Sequence, residues 1–114
     1  MIDRTTVLNS LIRLDRPIGE IRAELSTFPW DSPSELVTLT AEDIRSVLTR
    51  FTSGTLTASE VSEWADAIEL REDIAFEARY HEEIVDAIFF MADPQLNGPL
   101  NQNEISRLVA LLSK

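Results

Sequence analysis

The sequence predicts an all-α fold, a single-domain bundle of about six short helices over residues 1–114. Three observations predict it. Apolar residues recur every three or four positions in one segment after another, the spacing of helices that each bury one face. Capping signatures at Thr40, Thr57 and Asn101 each open such a segment. The chain has 114 residues, 44% of them hydrophobic, and no cysteine, so one apolar core must hold it without disulfides.

The first helix runs from about Asp3 to about Leu14, with Val7, Leu8, Leu11 and Leu14 on one stripe and Ile12 widening it. Arg16-Pro17 interrupts it, because proline suits the first turn of a new helix and disfavours helical geometry in the residue before it. From Pro17 onward Ile18, Ile21, Leu25 and Phe28 form a second stripe, opposite Glu20, Arg22 and Glu24, ending near Thr27. Phe28-Pro29-Trp30-Asp31-Ser32-Pro33 is a connector, since closely spaced prolines cannot continue a helix. Trp30 within it is expected to pack back on the core. Glu35 to Leu39 has some strand character and, with no obvious partner strand, is expected to be extended.

The helix from Thr40 buries Ile44, Val47, Leu48 and Phe51 and stops at Gly54, a natural left-handed terminator. The helix from Thr57 buries Val61, Trp64, Ala65 and Ile68 and turns Glu63, Asp66 and Glu69 outward. A bend is expected between Arg71 and Phe76. The next helix runs to about Ala92, with Tyr80, Ile84, Ala87, Ile88 and Met91 on one face. Asp93-Pro94 ends it, and Asn97-Gly98-Pro99 is a turn. The last helix follows Asn101 and buries Ile105, Leu108, Val109 and Leu112.

The three caps share one pattern. Thr40, Thr57 and Asn101 are each followed three positions on by an acid, Asp43, Glu60 or Glu104, that can reach back to the cap's own N–H. The fit is best at Glu60, looser at the shorter Asp43 and at Glu104, whose cap is Asn. Leu39, Leu56 and Leu100 precede the caps, and Ile44, Val61 and Ile105 follow four positions on, which is a hydrophobic staple. The acids also sit where the helix dipole favours negative charge. The helix bodies do not match one another, so the recurrence is convergent capping rather than an internal duplication.

The net charge is −10, from 20 acidic and 10 basic residues. That argues against nucleic acid as a partner, because phosphates are repelled, and favours a basic protein. Solubility alone is the plainer use of such charge. No segment approaches the ~18 consecutive apolar residues of a membrane span, and the N-terminus lacks the apolar run of a signal peptide. A cytoplasmic protein with no membrane partner is expected.

The residues offer little to an enzyme. His81-Glu82 begins like H-E-x-x-H, but Val85 stands where the second histidine belongs. A di-iron motif needs Glu three residues before His, and that position is Ala78. Glu77 and His81, one turn apart, are expected to pair on the surface. Three glycines form no phosphate loop. No catalytic residue, cofactor or metal ligand is therefore assigned, and a non-enzymatic protein is expected. The helix pair joined at Gly54 has helix-turn-helix proportions, but its second helix carries Glu60, Glu63, Asp66 and Glu69 and cannot approach phosphates.

Protein recognition remains. Thr57 to Ala92 holds half of the acidic residues and only two of the basic ones. On its second helix Glu82, Asp86 and Asp93 fall on one side at 100° per residue, with Phe89 in the middle of that stripe, Phe90 at its margin and Val85 on the other flank. An aromatic ringed by charge is what an interface anchor looks like; the alternative is that another helix, such as the N-terminal one, covers Phe89. The candidate partner-binding residues are Glu63, Asp66, Glu69, Glu82, Asp86 and Phe89.

The stretch LTAEDIRSVLTRFTSGTLTASEVSEWADAIELREDIAFE, with MADPQLNGPLNQNEISRLVALL downstream, resembles a group of small acidic bacterial proteins and, more distantly, is similar to immunity proteins of the colicin D type. The likeness covers about Leu39 to Leu112 and is carried by structural motifs: a helix cap, a Gly-terminated helix, a Trp-bearing helix and an Asn-Gly-Pro turn. It implies an acidic helical bundle that occludes the basic active site of a tRNA-cleaving toxin, with carboxylates in place of phosphates. No single functional residue carries over by motif. The expectation is a non-enzymatic acidic binding protein, an immunity protein or antitoxin that neutralises a basic nuclease toxin. An adaptor, or a structural protein that forms homo-oligomers through apolar helix faces, is the alternative.

Overall fold

Four helices begin where a side-chain oxygen accepts a backbone N–H from the first turn: Asp3 from Thr6, Thr40 from Asp43, Thr57 from Glu60 and Asn101 from Glu104. A computed structural model of the chain describes residues 3–28, 35–69, 71–93 and 101–113. Its elements are α1 (Arg4–Arg13), α2 (Ile18–Leu25), β1 (Val37–Leu39), α3 (Ala41–Thr52), α4 (Ala58–Ile68), β2 (Ile74–Phe76), a 3-10 turn (Ala78–Tyr80), α5 (His81–Ala92) and α6 (Gln102–Leu111). The fold is mostly all-α, as expected. Trp30, the staple residue Leu100 and the Asn97-Gly98-Pro99 turn lie outside the described residues.

The caps divide as their side-chain lengths and partners dictate. Thr40 with Asp43 and Thr57 with Glu60 are complete capping boxes. At the third start Asn101 caps, but the Glu104 carboxylate instead accepts from Arg107. Leu39 and Ile44, and likewise Leu56 and Val61, are buried as stapled pairs. Gly54 has φ +88°, and the N–H of Thr55 returns to the Arg50 carbonyl, closing α3 in a left-handed turn.

The apolar stripes meet in one core. Trp64 is its largest fully buried side chain, and its indole N–H donates to the Leu11 carbonyl at 2.6 Å, tying α4 to α1. Distant side chains finish the helix ends that local sequence leaves open. Leu14 is left-handed at φ 48°, and Arg50 of α3 donates to the carbonyls of Leu14 and Arg13 at 2.8 and 2.6 Å. Arg45 reaches the Leu112 carbonyl after α6 at 2.8 Å. Cations at helix C-termini are favoured by the dipole as well as by the hydrogen bonds.

Several expectations are corrected. The extended stretch has a partner: β1 pairs in parallel with β2, Val37 opposite Ile74 and Leu39 opposite Phe76. The expected bend between Arg71 and Phe76 therefore contains a strand. Parallel strands need a long crossover, and here α3 and α4 form it, so the partner lies far down the chain. The face assigned to Tyr80 also changes. Tyr80 lies in the 3-10 turn ahead of α5, partly buried, with the Arg79 guanidinium 5.2 Å from its ring centre. Phe51 is only partly buried, packed against the core edge.

The strands meet at Asp73, a carboxylate with no solvent exposure. Arg4 Nε and Arg71 Nε each donate to it at 2.9 Å, and Arg71 Nη2 donates at 3.0 Å. Its backbone carbonyl accepts from Leu36 N–H at 2.8 Å. Burial by itself pushes this carboxyl up, but the hydrogen bonds and charges of Arg71 and then Arg4 outweigh it, and Asp73 is held below the ordinary 3.8.

The folded-state value lies below the unfolded one, so the stabilisation is complete above about pH 4 and is lost as pH falls through the lowered folded value. Asp73→Asn is expected to cost about 3–5 kcal/mol at neutral pH, because it leaves two guanidinium groups without their buried counter-charge. Its urea-unfolding free energy should also fall less steeply below pH 4 than the wild type's. A second outcome concerns Gly54. An added Cβ meets nothing within 4 Å, so Gly54→Ala should cost only the left-handed backbone penalty, about 1 kcal/mol, read from the same denaturation curves.

Candidate functional site

Helices α4 and α5 pack together and run antiparallel. At one end Ser62 Oγ donates to the Ala92 carbonyl at 3.3 Å; at the other Glu69 lies beside Val85 and Ile88. The acids of α4 and the acid-aromatic stripe of α5 are thereby set on neighbouring elements. Glu82, Asp86 and Phe89 are exposed on α5; Glu63 and Asp66 are exposed on α4, and Glu69 is half-buried at its C-cap.

The six candidates do not all stand alike. Asp66 faces α2, its carboxylate 3.6 Å from Arg22 Nη2, a weak exposed pair. Glu63, Glu69, Glu82 and Asp86 make no ion pair among the described residues. Glu69 and Phe89 are brought together: with Phe76, Val85 and Ile88 they line an open groove of about 420 Å³. A larger hollow of about 620 Å³, between α3 and α6, is lined by Leu48, Ile105, Val109 and small polar side chains, with no carboxylate.

Phe89 is 50% exposed and Val85 41%. Phe90, one residue on, turns about 100° away and is partly buried, with the α6 guanidinium of Arg107 5.5 Å from its ring centre. Helix α6 therefore lies against the Phe90 flank of α5, and Phe89 is the more exposed of the two rings. Arg22 reaches this face through Asp66, while several other arginines are engaged away from it. Arg4 and Arg71 hold Asp73, Arg16 holds Glu24, and Arg45 and Arg50 hold helix-end carbonyls.

The expected Glu77–His81 pair does not form. Glu77 precedes α5 rather than lying on it, and its carboxylate accepts from the Ala41 N–H of α3 at 3.0 Å. His81 instead stacks at a tilt on Phe76, ring centres 5.9 Å apart. Among the described residues no group of three or more His, Asp or Glu side chains is placed to hold a metal ion. No helix among them is long and apolar enough to cross a membrane.

Sequence reasoning missed Phe76 as a wall of the groove. The only signal was the I-A-F triplet after Asp73, too short to mark a strand by alternation. No protein-family model, curated protein or solved structure matches the chain.

The exposure difference along α5 has a direct consequence for stability. Phe89→Ala should change the urea-unfolding free energy by no more than about 1 kcal/mol, as for an exposed position. Ile88→Ala, one residue before it and 2% exposed, should cost about 2–4 kcal/mol.

Proposed function

We propose that this chain is a non-enzymatic binding protein whose α4–α5 face docks a basic protein partner, acting as an immunity protein or antitoxin toward a basic nuclease toxin. The observation that carries the reading is Phe89, half exposed beside Glu82 and Asp86, whose carboxylates make no ion pair among the described residues. An aromatic anchor inside a charged ring supplies what charge alone lacks: apolar contact area that water cannot replace. On this reading the carboxylates take the place of the substrate's phosphates, so that the same basic groups of the toxin serve both ligands. A net charge of −10 attracts such a partner over long range and speeds encounter. The resemblance to immunity proteins supports the same reading, as does the cytoplasmic location expected from the sequence.

Self-association through this face is the weaker reading. A two-fold interface sets the same patch against itself, and here that places Glu82 and Asp86 of two copies together. Like charges across an interface cost several kcal/mol.

The test is capture of partner from the source cell by the wild type and by the Glu82→Lys/Asp86→Lys variant. It is run at about 0.1 M and about 1 M salt, where the Debye length is about 10 Å and about 3 Å. The wild type should retain a basic protein at low salt, with association slowed roughly tenfold or more by the double reversal and by high salt. Equal retention of the same protein by the variant refutes the docking face.

A further inference from the structure

We infer that the groove between Phe76, Val85, Ile88 and Phe89 seats one apolar side chain of a lysine- or arginine-rich amphipathic helix. The inference rests on the docking reading above and names the chemistry of the segment that docks. The groove's walls are apolar and its rim is acidic. Glu69 belongs to the lining itself. Asp86 stands one turn before Phe89 on α5, and Glu82 one turn before Asp86, neighbours on one helix surface.

That combination selects its occupant. A purely polycationic loop satisfies Glu69, Glu82 and Asp86 but leaves the apolar walls wet. A neutral apolar segment, or a second copy of this chain, fills the groove but sets no cation against carboxylates that have no ion pair among the described residues. A cationic amphipathic segment does both. Val85, Ile88 and Phe89 lie at i, i+3 and i+4 along α5, so this wall runs with a helix axis, as in grooves that take a helix by an apolar anchor. The volume of about 420 Å³ lies within the range of sites that enclose apolar groups.

The experiment titrates the whole, isotope-labelled chain with three synthetic helical peptides of about 18 residues, long enough to hold helix. One is lysine-rich with a single leucine anchor, one is the same with the leucine replaced by serine, and one keeps the leucine but replaces the lysines with glutamine. Methyl resonances of Val85 and Ile88 report the groove. The anchored cationic peptide should shift both methyls and bind roughly tenfold more tightly than either control, the worth of burying one aliphatic side chain. Phe89→Ser and Val85→Ser, both at exposed positions, should reduce it to the level of the anchorless peptide while the remaining methyl spectrum stays dispersed as in the folded protein. Equal affinity of the two cationic peptides, with no shift at Val85 and Ile88, overturns the groove but leaves the acidic docking face standing. Failure of both cationic peptides to bind at low salt overturns both.

Discussion

A carboxylate cannot be taken out of water without its counter-charges, and that constraint at Asp73 organises this molecule. The desolvation cost of a bare buried carboxylate is several kcal/mol or more, so Arg4 and Arg71 must both arrive for the chain to close over it. Arg4 lies 69 residues away at the head of α1. Its arrival pins α1 to the strand pair. The backbone carbonyl of the same residue receives Leu36 N–H, which draws β1 alongside β2. Three residues after Asp73, at the end of β2, stands Phe76, a wall of the α5 groove. The site thus depends on an ion cluster with which it shares no residue.

Much of the positive charge in this chain is used for architecture. Arg45 and Arg50 complete the ends of α6 and α1 by donating to backbone carbonyls, a role that a carboxylate cannot fill. Arg107 packs against Phe90 and pairs with its own neighbour Glu104. With twice as many acids as bases in the sequence, using the guanidinium groups this way leaves the surplus carboxylates facing water. The acidity of the outer face follows in part from where the arginines are needed inside.

The pair Phe89-Phe90 shows how finely helix geometry divides adjacent residues of the same type. One hundred degrees of rotation sends Phe90 toward Arg107 of α6 and Phe89 outward beside Val85. The position of the last helix thus makes Phe90 the more covered of the two rings.

What the sequence by itself determined is what depends on residues within about one helical turn of each other. The boxes at Thr40 and Thr57, the stop at Gly54 and the buried stripe Val61, Trp64, Ala65 and Ile68 were all legible, because caps, staples and stripes act at separations of three or four residues. The grouping of Glu82, Asp86 and Phe89 on one side of α5 followed from the same periodicity. What only the tertiary structure decided has partners far apart in the chain. Glu77 caps α3 across 36 residues, β1 finds β2 beyond two helices, and Asp73 closes on Arg4. A three-residue strand carries no readable period, and an acid reads the same whether it will meet water or an arginine. The half exposure of Phe89 was likewise a matter of tertiary packing, since a stripe on one helix states which residues share a face but not what packs against them.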